Sequence, residues 1–294
     1  MISMIARRVV VSVLACIAAT AAFAQTPAPA PTLYFSAIPD EDETKLTVRF
    51  NKVAAYLSKE LGLPVQYVPL KSYPASVTAF KNDQIQLAWF GGLTGVQAQH
   101  AVPGSQAIAQ DAEDKNFVTY IIANAATGIE AAPELSKAIA GKTFTFGAKT
   151  STSGRLMPEF HLRKVFGKGP DDVFSKVGYS GDHTKTVELV QSGAFDVGAV
   201  NFSSFDDMVK NGKADPAKVK IIWKTPPFPD YNWTIRGDVY KKFGAGTLDK
   251  VRAAILGMKD PELLEAFPRS AFIPAQNADY APIVDTAKQL GLLD

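Results

Sequence analysis

The chain has 294 residues, 47% of them hydrophobic, with 31 lysines and arginines against 29 acids and a formal net charge of +2. Near-neutral charge without a Lys/Arg cluster excludes nucleic acid, which needs a basic face, and one cysteine, Cys16, excludes a disulfide framework. At this length, nearly half apolar content supports a good core in one lobe or two.

Residues 1–24 read as an export signal. Arg7-Arg8 precedes an apolar, Ala-rich run, and Ala22-Phe23-Ala24 supplies a small-x-small cleavage site before Gln25. The run is shorter than the roughly 20 residues a membrane span needs, and it passes directly into a Pro/Ala tether at 25–32. Cys16 follows Val13-Leu14-Ala15 as in a lipoprotein box, but residues 17–24 stay apolar where a lipoprotein turns polar. The expectation is a periplasmic chain cut after Ala24, without Arg7, Arg8 or any cysteine.

In chain order the remainder alternates strand and helix. Residues 33–38 are strand-like, and 45–61 place Leu46, Phe50, Val53, Ala54, Leu57 and Leu61 on one helical face closed by Gly62. Residues 65–70 read as strand, 73–81 as a short helix, and 85–90 as a buried strand ending in Gly91-Gly92. The rhythm returns with a strand at 144–147, helices at 156–166 and 187–191, and a strand at 195–200. Residues 120–125 and a segment around 221–236 have the β-character of strands joining two lobes, while 248–293 reads as helices packing back on the first. Such alternation predicts an α/β chain with mainly parallel sheets and function at the carboxyl ends of strands. The expected division is lobe 1 at 33–122 and 230–294, and lobe 2 at 123–229.

Residues 143–170 hold the most chemistry. A β-type run breaks into Ser151, Thr152, Ser153 and Gly154, then turns into a helix carrying Phe160, Leu162, Val165 and Phe166. The first N–H groups of a helix have no partner within it and carry the positive end of its dipole, so an oxyanion satisfies several donors there at once. Three hydroxyls add donors, Gly154 permits close approach, and Pro158 fits the first turn. A Ser-rich cap with nothing bound is the alternative reading.

Four ordered blocks, FKNDQIQLAWFGGLTGV, TSTSGRLMPEF, YSGDHTKTVELVQSGAFDVGAVN and IIWKTPPFPDYNWTIR, resemble the signatures of the phosphonate/phosphite/phosphate-binding family of periplasmic solute receptors, which serve ABC importers. Within it the chain is similar to the branch described as selenate receptors, in AWFGGLTGVQA, TFTFG, TSTSGRLMPE and PDYNWT. The resemblance implies a two-lobe type II periplasmic binding protein that closes on a small tetrahedral oxyanion in the interlobe cleft. It also implies delivery to an inner-membrane permease; the expected receptor is a monomer and not an enzyme. No Walker motif, dinucleotide fingerprint or metal-ligand cluster is present in the sequence, so no cofactor is expected.

Carried across, the family's anion cradle falls on Ser151, Thr152 and Ser153, and the histidine facing the oxyanion matches His183. Tyr73 matches a cleft-lining aromatic. Phe90 stands where relatives often have tyrosine, leaving only the backbone and the following helix start, while Asn201 and Tyr231 are further donors. Where aminophosphonate receptors carry a Glu this chain has Asn201-Phe202-Ser203-Ser204, and their Asp is out of register at Asp230-Tyr231-Asn232. Those two acids hold an aminoalkyl tail in relatives. A cradle of donors alone suits an anion that only accepts, so selenate-like or fully ionised phosphorus oxyanions are expected ahead of 2-aminoethylphosphonate. A shift bringing Asp230 into the cleft would restore phosphate or phosphonate. Two rival readings are a periplasmic sensor for a signalling partner, and a hydrolase using Ser153, His183 and Asp182, which lacks a G-x-S-x-G elbow.

Overall fold

The computed structural model describes residues 30–267 and 270–293. The expected leader, its cleavage site, Cys16 and most of the tether lie outside the described residues.

The first lobe opens with β1 (Leu33–Ala37), α1 (Glu43–Leu61), β2 (Val65–Tyr67), α2 (Tyr73–Lys81), β3 (Leu87–Phe90), α3 (Gly92–Ala101) and β4 (Gln106–Asp111). The second holds β5 (Thr119–Asn124), β6 (Thr143–Phe146), α4 (Met157–Phe166), β7 (Lys176–Tyr179), α5 (His183–Gln191), β8 (Val197–Asn201), α6 (Phe202–Lys210) and β9 (Val219–Lys224). The chain then returns through β10 (Asn232–Ile235), α7 (Tyr240–Phe243), α8 (Thr247–Leu256), α9 (Pro261–Ala266), β11 (Phe272–Pro274) and α10 (Ala281–Gln289).

Local chemistry explains the boundaries. Asp42 caps α1 by accepting the Lys45 N–H, and Gly62 ends it in the left-handed region at φ 63°. Of the face predicted from periodicity, Leu46, Phe50, Val53, Ala54 and Leu57 are buried, while Leu61 at the helix end is only partly so.

Two sheets carry the fold, in the orders β11-β4-β10-β3-β1-β2 and β7-β6-β8-β5-β9. Both are mixed rather than mainly parallel. Strands β2, β1 and β3 run parallel, as do β7, β6 and β8, but β10 pairs antiparallel with β3 and β4, and β5 antiparallel with β8 and β9. Two of the departures, β10 and β5, follow the crossings between lobes and enter their sheets from the opposite end, and β11 adds a third by pairing antiparallel with β4 at the sheet edge. Strand β5 lies wholly in the second sheet, so the joining segments are the residues before Thr119 and after Lys224, not residues 120–125. At the crossings Phe117 and Phe228 exchange N–H···O bonds of 2.9 Å in both directions.

Alternation along β5 divides the second lobe's core. Ile121 and Ala123 pack with Phe144, Phe146 and Leu162 on the α4 face, whereas Tyr120 and Ile122 pack with Val187, Val190 and Phe205 under α5 and α6. The first lobe's core gathers Phe35, Phe50 and Trp233, and Leu156 and Met157 of the second lobe reach into it.

Candidate anion-binding site

After β6 the chain does not enter an α-helix directly: Thr152–Leu156 forms one π-helical turn before α4, a distortion that recurs at functional sites. Ser151 caps it, its Oγ accepting the Gly154 N–H at 2.9 Å, which leaves the hydroxyl hydrogen to donate. The Thr119 hydroxyl donates to the Ser153 carbonyl at 2.8 Å and pins the turn to β5. Ser151, Thr152 and Ser153 are all buried. A side chain at position 154 would crowd the turn, because a Cβ would stand 2.9 Å from Ser151 Oγ, 3.1 Å from Gly147 Cα and 3.2 Å from His183 Cε1.

His183 is the first residue of α5, not a loop histidine. Its Nδ1 accepts the Asn201 N–H at 3.3 Å, and burial pushes its pKa down to about 4. The ring is therefore neutral near pH 7 and carries its proton on Nε2, a buried donor with no partner among the described residues. Tyr73, at the start of α2, is buried too. Its hydroxyl lies near Ser151, whose side chain lowers its pKa slightly, and makes no hydrogen bond of good geometry among the described residues. Burial, reinforced by the Asp40 and Asp230 carboxylates, raises its pKa well above the ordinary tyrosine value, so it stays a donor.

Three expectations change. The start of α3 is not open to a ligand: the Gly92 N–H donates to Asp230 Oδ1 at 2.9 Å and the Leu93 N–H to Thr152 Oγ1 at 2.9 Å. Phe90 is fully buried and packs edge-on against Phe80, so it belongs to the core of the first lobe. The cleft is not lined by donors alone either, because Asp230 is buried beside Thr152: a Cβ on Gly91 would stand 3.2 Å from Asp230 Oδ1 and 3.3 Å from Thr152 Oγ1.

Asn201 and Tyr231 tie the lobes together behind the cradle. The Asn201 side-chain amide donates to the Tyr231 hydroxyl at 3.1 Å, which donates to Asp40 Oδ2 at 2.7 Å, and Asn201 Oδ1 caps α6 through the Ser204 N–H. Sequence reading missed Asp40. Its signal was the acidic PDED run at the carboxyl end of β1, the place where α/β folds gather function. Burial first, and the neighbouring Glu41 carboxylate second, raise Asp40 to about 6.

The lobes are closed on each other. The Asp40 carbonyl accepts the His183 N–H at 3.0 Å, Ser204 Oγ donates to Glu41 Oε1 at 3.2 Å, and Lys45 Nζ meets Asp207 at 2.6 Å and Glu41 at 2.9 Å. Beside the cradle a cavity of about 640 Å³ opens between the lobes, with Tyr73 in its wall. No Asp182–His183 pair of the hydrolase type forms: Asp182 caps α5 through the Lys185 N–H at 2.7 Å and pairs with Lys185 Nζ at 3.1 Å.

Two α/β lobes closed over a buried turn of donors define a periplasmic-type solute receptor. The family of ABC-transporter periplasmic substrate-binding proteins for phosphonate matches residues 35–280, and the chain belongs to it. It is 36% identical over 265 residues, 88% of this chain and 89% of the relative, to a probable ABC transporter phosphite binding protein, PhnD1, of Prochlorococcus marinus MIT 9301. The structure of that PhnD1 in complex with methylphosphonate superposes with a TM-score of 0.84 at 35% identity, covering 89% of this chain and 99% of that one. The phosphonates-binding periplasmic protein of Escherichia coli K12 is 24% identical over 200 residues, 67% of this chain and 58% of that one. The protein is thus the substrate-binding component of an ABC transporter of the phosphonate class, and these relatives are transport proteins rather than enzymes.

Proposed function

We propose that the protein captures a small phosphorus oxyanion of the phosphite or methylphosphonate class and, as an exported monomer, delivers it to an inner-membrane permease. Ser151, Thr152, Ser153, Tyr73 and His183 donate to the anion's oxygens, and Asp230 accepts its remaining O–H. The observation that carries this reading is the pair of buried donors without partners among the described residues, Tyr73 Oη and His183 Nε2, beside the serine turn and next to a buried carboxylate. A buried donor left unmade costs about 1–3 kcal/mol, so two beside one turn argue for a ligand that completes them. The methylphosphonate complex of the Prochlorococcus relative supports the ligand class.

Asp230 reverses the ranking expected from a donor-only cradle. Sulfate and selenate carry no O–H near neutral pH and would set a full charge against the carboxylate, whereas phosphite and phosphonate monoanions offer it a proton. An aminoalkyl tail finds no acid at the α6 start, where Asn201 is committed to the Tyr231 hydroxyl and the helix cap. Calorimetric titration of ligand-stripped protein at pH 7 tests this, with phosphite or methylphosphonate expected at least about tenfold, or 1.4 kcal/mol, tighter than selenate, sulfate or 2-aminoethylphosphonate. Tightest binding to any of those three overturns it.

A further inference from the structure

The turn that carries Ser151, Thr152 and Ser153 is held from two sides. Its backbone closes the wide way, the Leu156 N–H donating to the Ser151 carbonyl at 3.0 Å and the Met157 N–H to the Thr152 carbonyl, so each bond spans one residue more than in an α-helix. One extra residue swings a side chain by about 100° around a helix axis, so the wide turn sets where the three hydroxyls point. On the inner side the Thr119 hydroxyl donates to the Ser153 carbonyl, and the Gly147 N–H donates to the Gly154 carbonyl at 2.8 Å.

On the outer side the hold is Arg155. Its Nε donates to Glu159 Oε2 and its Nη1 to the Tyr179 hydroxyl at 2.8 Å. Its Cζ stands 5.3 Å from the centre of the Phe146 ring and 5.2 Å from that of Tyr179, two rings stacked on each other at the carboxyl ends of β6 and β7. The Glu159 side chain is 2% exposed, and its other oxygen meets Arg163 Nη2 at 2.8 Å. A carboxylate buried that deeply must be paired, so Glu159 fixes Arg155 in return. The guanidinium is committed to Glu159, Tyr179 and two aromatic rings.

We infer, on the reading of the turn as the anion site, that Arg155 is a positioning residue for capture: clamped to Glu159, Tyr179 and Phe146, it keeps the turn wide and aims the hydroxyls of Ser151, Thr152 and Ser153 at the ligand without binding it. Such a clamp needs the planar fork, which gives a carboxylate and a phenol fixed directions while its face meets aromatic rings; an ammonium is a point charge without that shape. Charge alone makes the opposite forecast. A positive charge near the cradle would serve as well on lysine, and removing the Glu159 charge would strengthen the hold on an anion.

The test is calorimetry with methylphosphonate and phosphite on ligand-stripped wild type, Arg155→Lys, Glu159→Gln and Arg163→Lys, with melting curves and amide NMR spectra of each. Arg155→Lys should bind both ligands about tenfold more weakly, or 1.4 kcal/mol, and Glu159→Gln should also weaken both, by about fivefold or more. Arg163, whose side chain is 46% exposed, lies outside the clamp, so Arg163→Lys should stay within about twofold of wild type. In ligand-free Arg155→Lys the amide signals of Thr152, Ser153 and Gly154 should move. A bridge that only stabilises the fold would lower the melting temperature and leave affinity and turn amides in place. That pattern, wild-type affinity in Arg155→Lys, tighter binding in Glu159→Gln, or an equal loss in Arg163→Lys overturns the inference. Where Arg155→Lys melts early, Tyr179→Phe removes only the phenol end of the clamp at a residue 40% exposed and should cost about threefold in affinity, no loss there overturning it too. Wild-type protein that binds neither phosphite nor methylphosphonate fails the anion-site reading instead, a result distinct from all of these.

Discussion

Two helix beginnings meet at the site, and they have opposite fates. Each follows a buried strand and glycine-bearing turn, and each offers amides that satisfy an oxyanion equally well on sequence grounds. At α3 those amides are consumed inside the protein, Gly92 by Asp230 and Leu93 by Thr152. At the π-helical turn before α4 Ser151 caps the Gly154 N–H, and the nearby Tyr73 Oη and His183 Nε2 have no partner among the described residues. A helix start becomes an anion site when the surrounding fold declines to satisfy it, so the donors left over, rather than the donors present, mark the ligand.

The largest test closes the open side. Gly154→Ala puts a methyl against the Gly147 backbone, Ser151 and His183, and overpacking of this kind costs about 1–3 kcal/mol of stability. Ligand affinity should fall by about a hundredfold, or 2.7 kcal/mol, because the same methyl displaces two groups of the cradle. Near-native affinity by calorimetry would mean that the anion sits elsewhere.

Next come the buried titrating groups, which act in opposite directions. Asp40 is raised from 3.8 to about 6, so the native state holds its proton more tightly than the unfolded chain; its stabilising contribution is complete below pH 3.8 and disappears as pH rises through about 6. His183 is lowered from 6.5 to about 4, so its contribution is present above pH 6.5 and is lost as pH falls through about 4. Asp40→Asn keeps an acceptor for Tyr231 and removes the Asp40 titration together with its repulsion of Glu41. The stability of Asp40→Asn minus that of wild type should therefore rise by roughly 3 kcal/mol between pH 3.5 and 7, measured by denaturant unfolding. A flat difference would show that Asp40 is not strained by its burial.

Single hydroxyl deletions sharpen the contrast further. Ser151→Ala, Thr152→Ala and Ser153→Ala should each weaken anion binding by about 1.5–3 kcal/mol, the scale of a hydrogen bond to a charged group, with little loss of stability at Ser153. Thr152→Ala alone should also loosen lobe closure, since it frees the Leu93 amide. Three unchanged affinities would reduce the turn to a helix cap. Smallest is the outer bridge. Lys45 is 42% exposed and joins Glu41 to Asp207 across the lobes, so Lys45→Met should cost about 0.2–1 kcal/mol of affinity, shared equally by every ligand and vanishing in high salt. A ligand-dependent effect would place Lys45 in the cleft.

The sequence by itself determined the elements and the capped turn at residues 151–154. Apolar spacing in α1, the Asp42 and Gly62 boundaries and the Ser151–Gly154 turn all depend on residues a few positions apart, which a linear reading can see. It could not decide that Phe90 is core, that Asn201 and Tyr231 join lobes, or that Asp40 and Asp230 enter the site. Those outcomes rest on pairs 138 residues apart for Gly92 and Asp230, 59 for Leu93 and Thr152, and 191 for Tyr231 and Asp40. Whether a polar group is spent within the fold or left for a ligand is a property of such long-range pairs, and only the closed tertiary structure forms them.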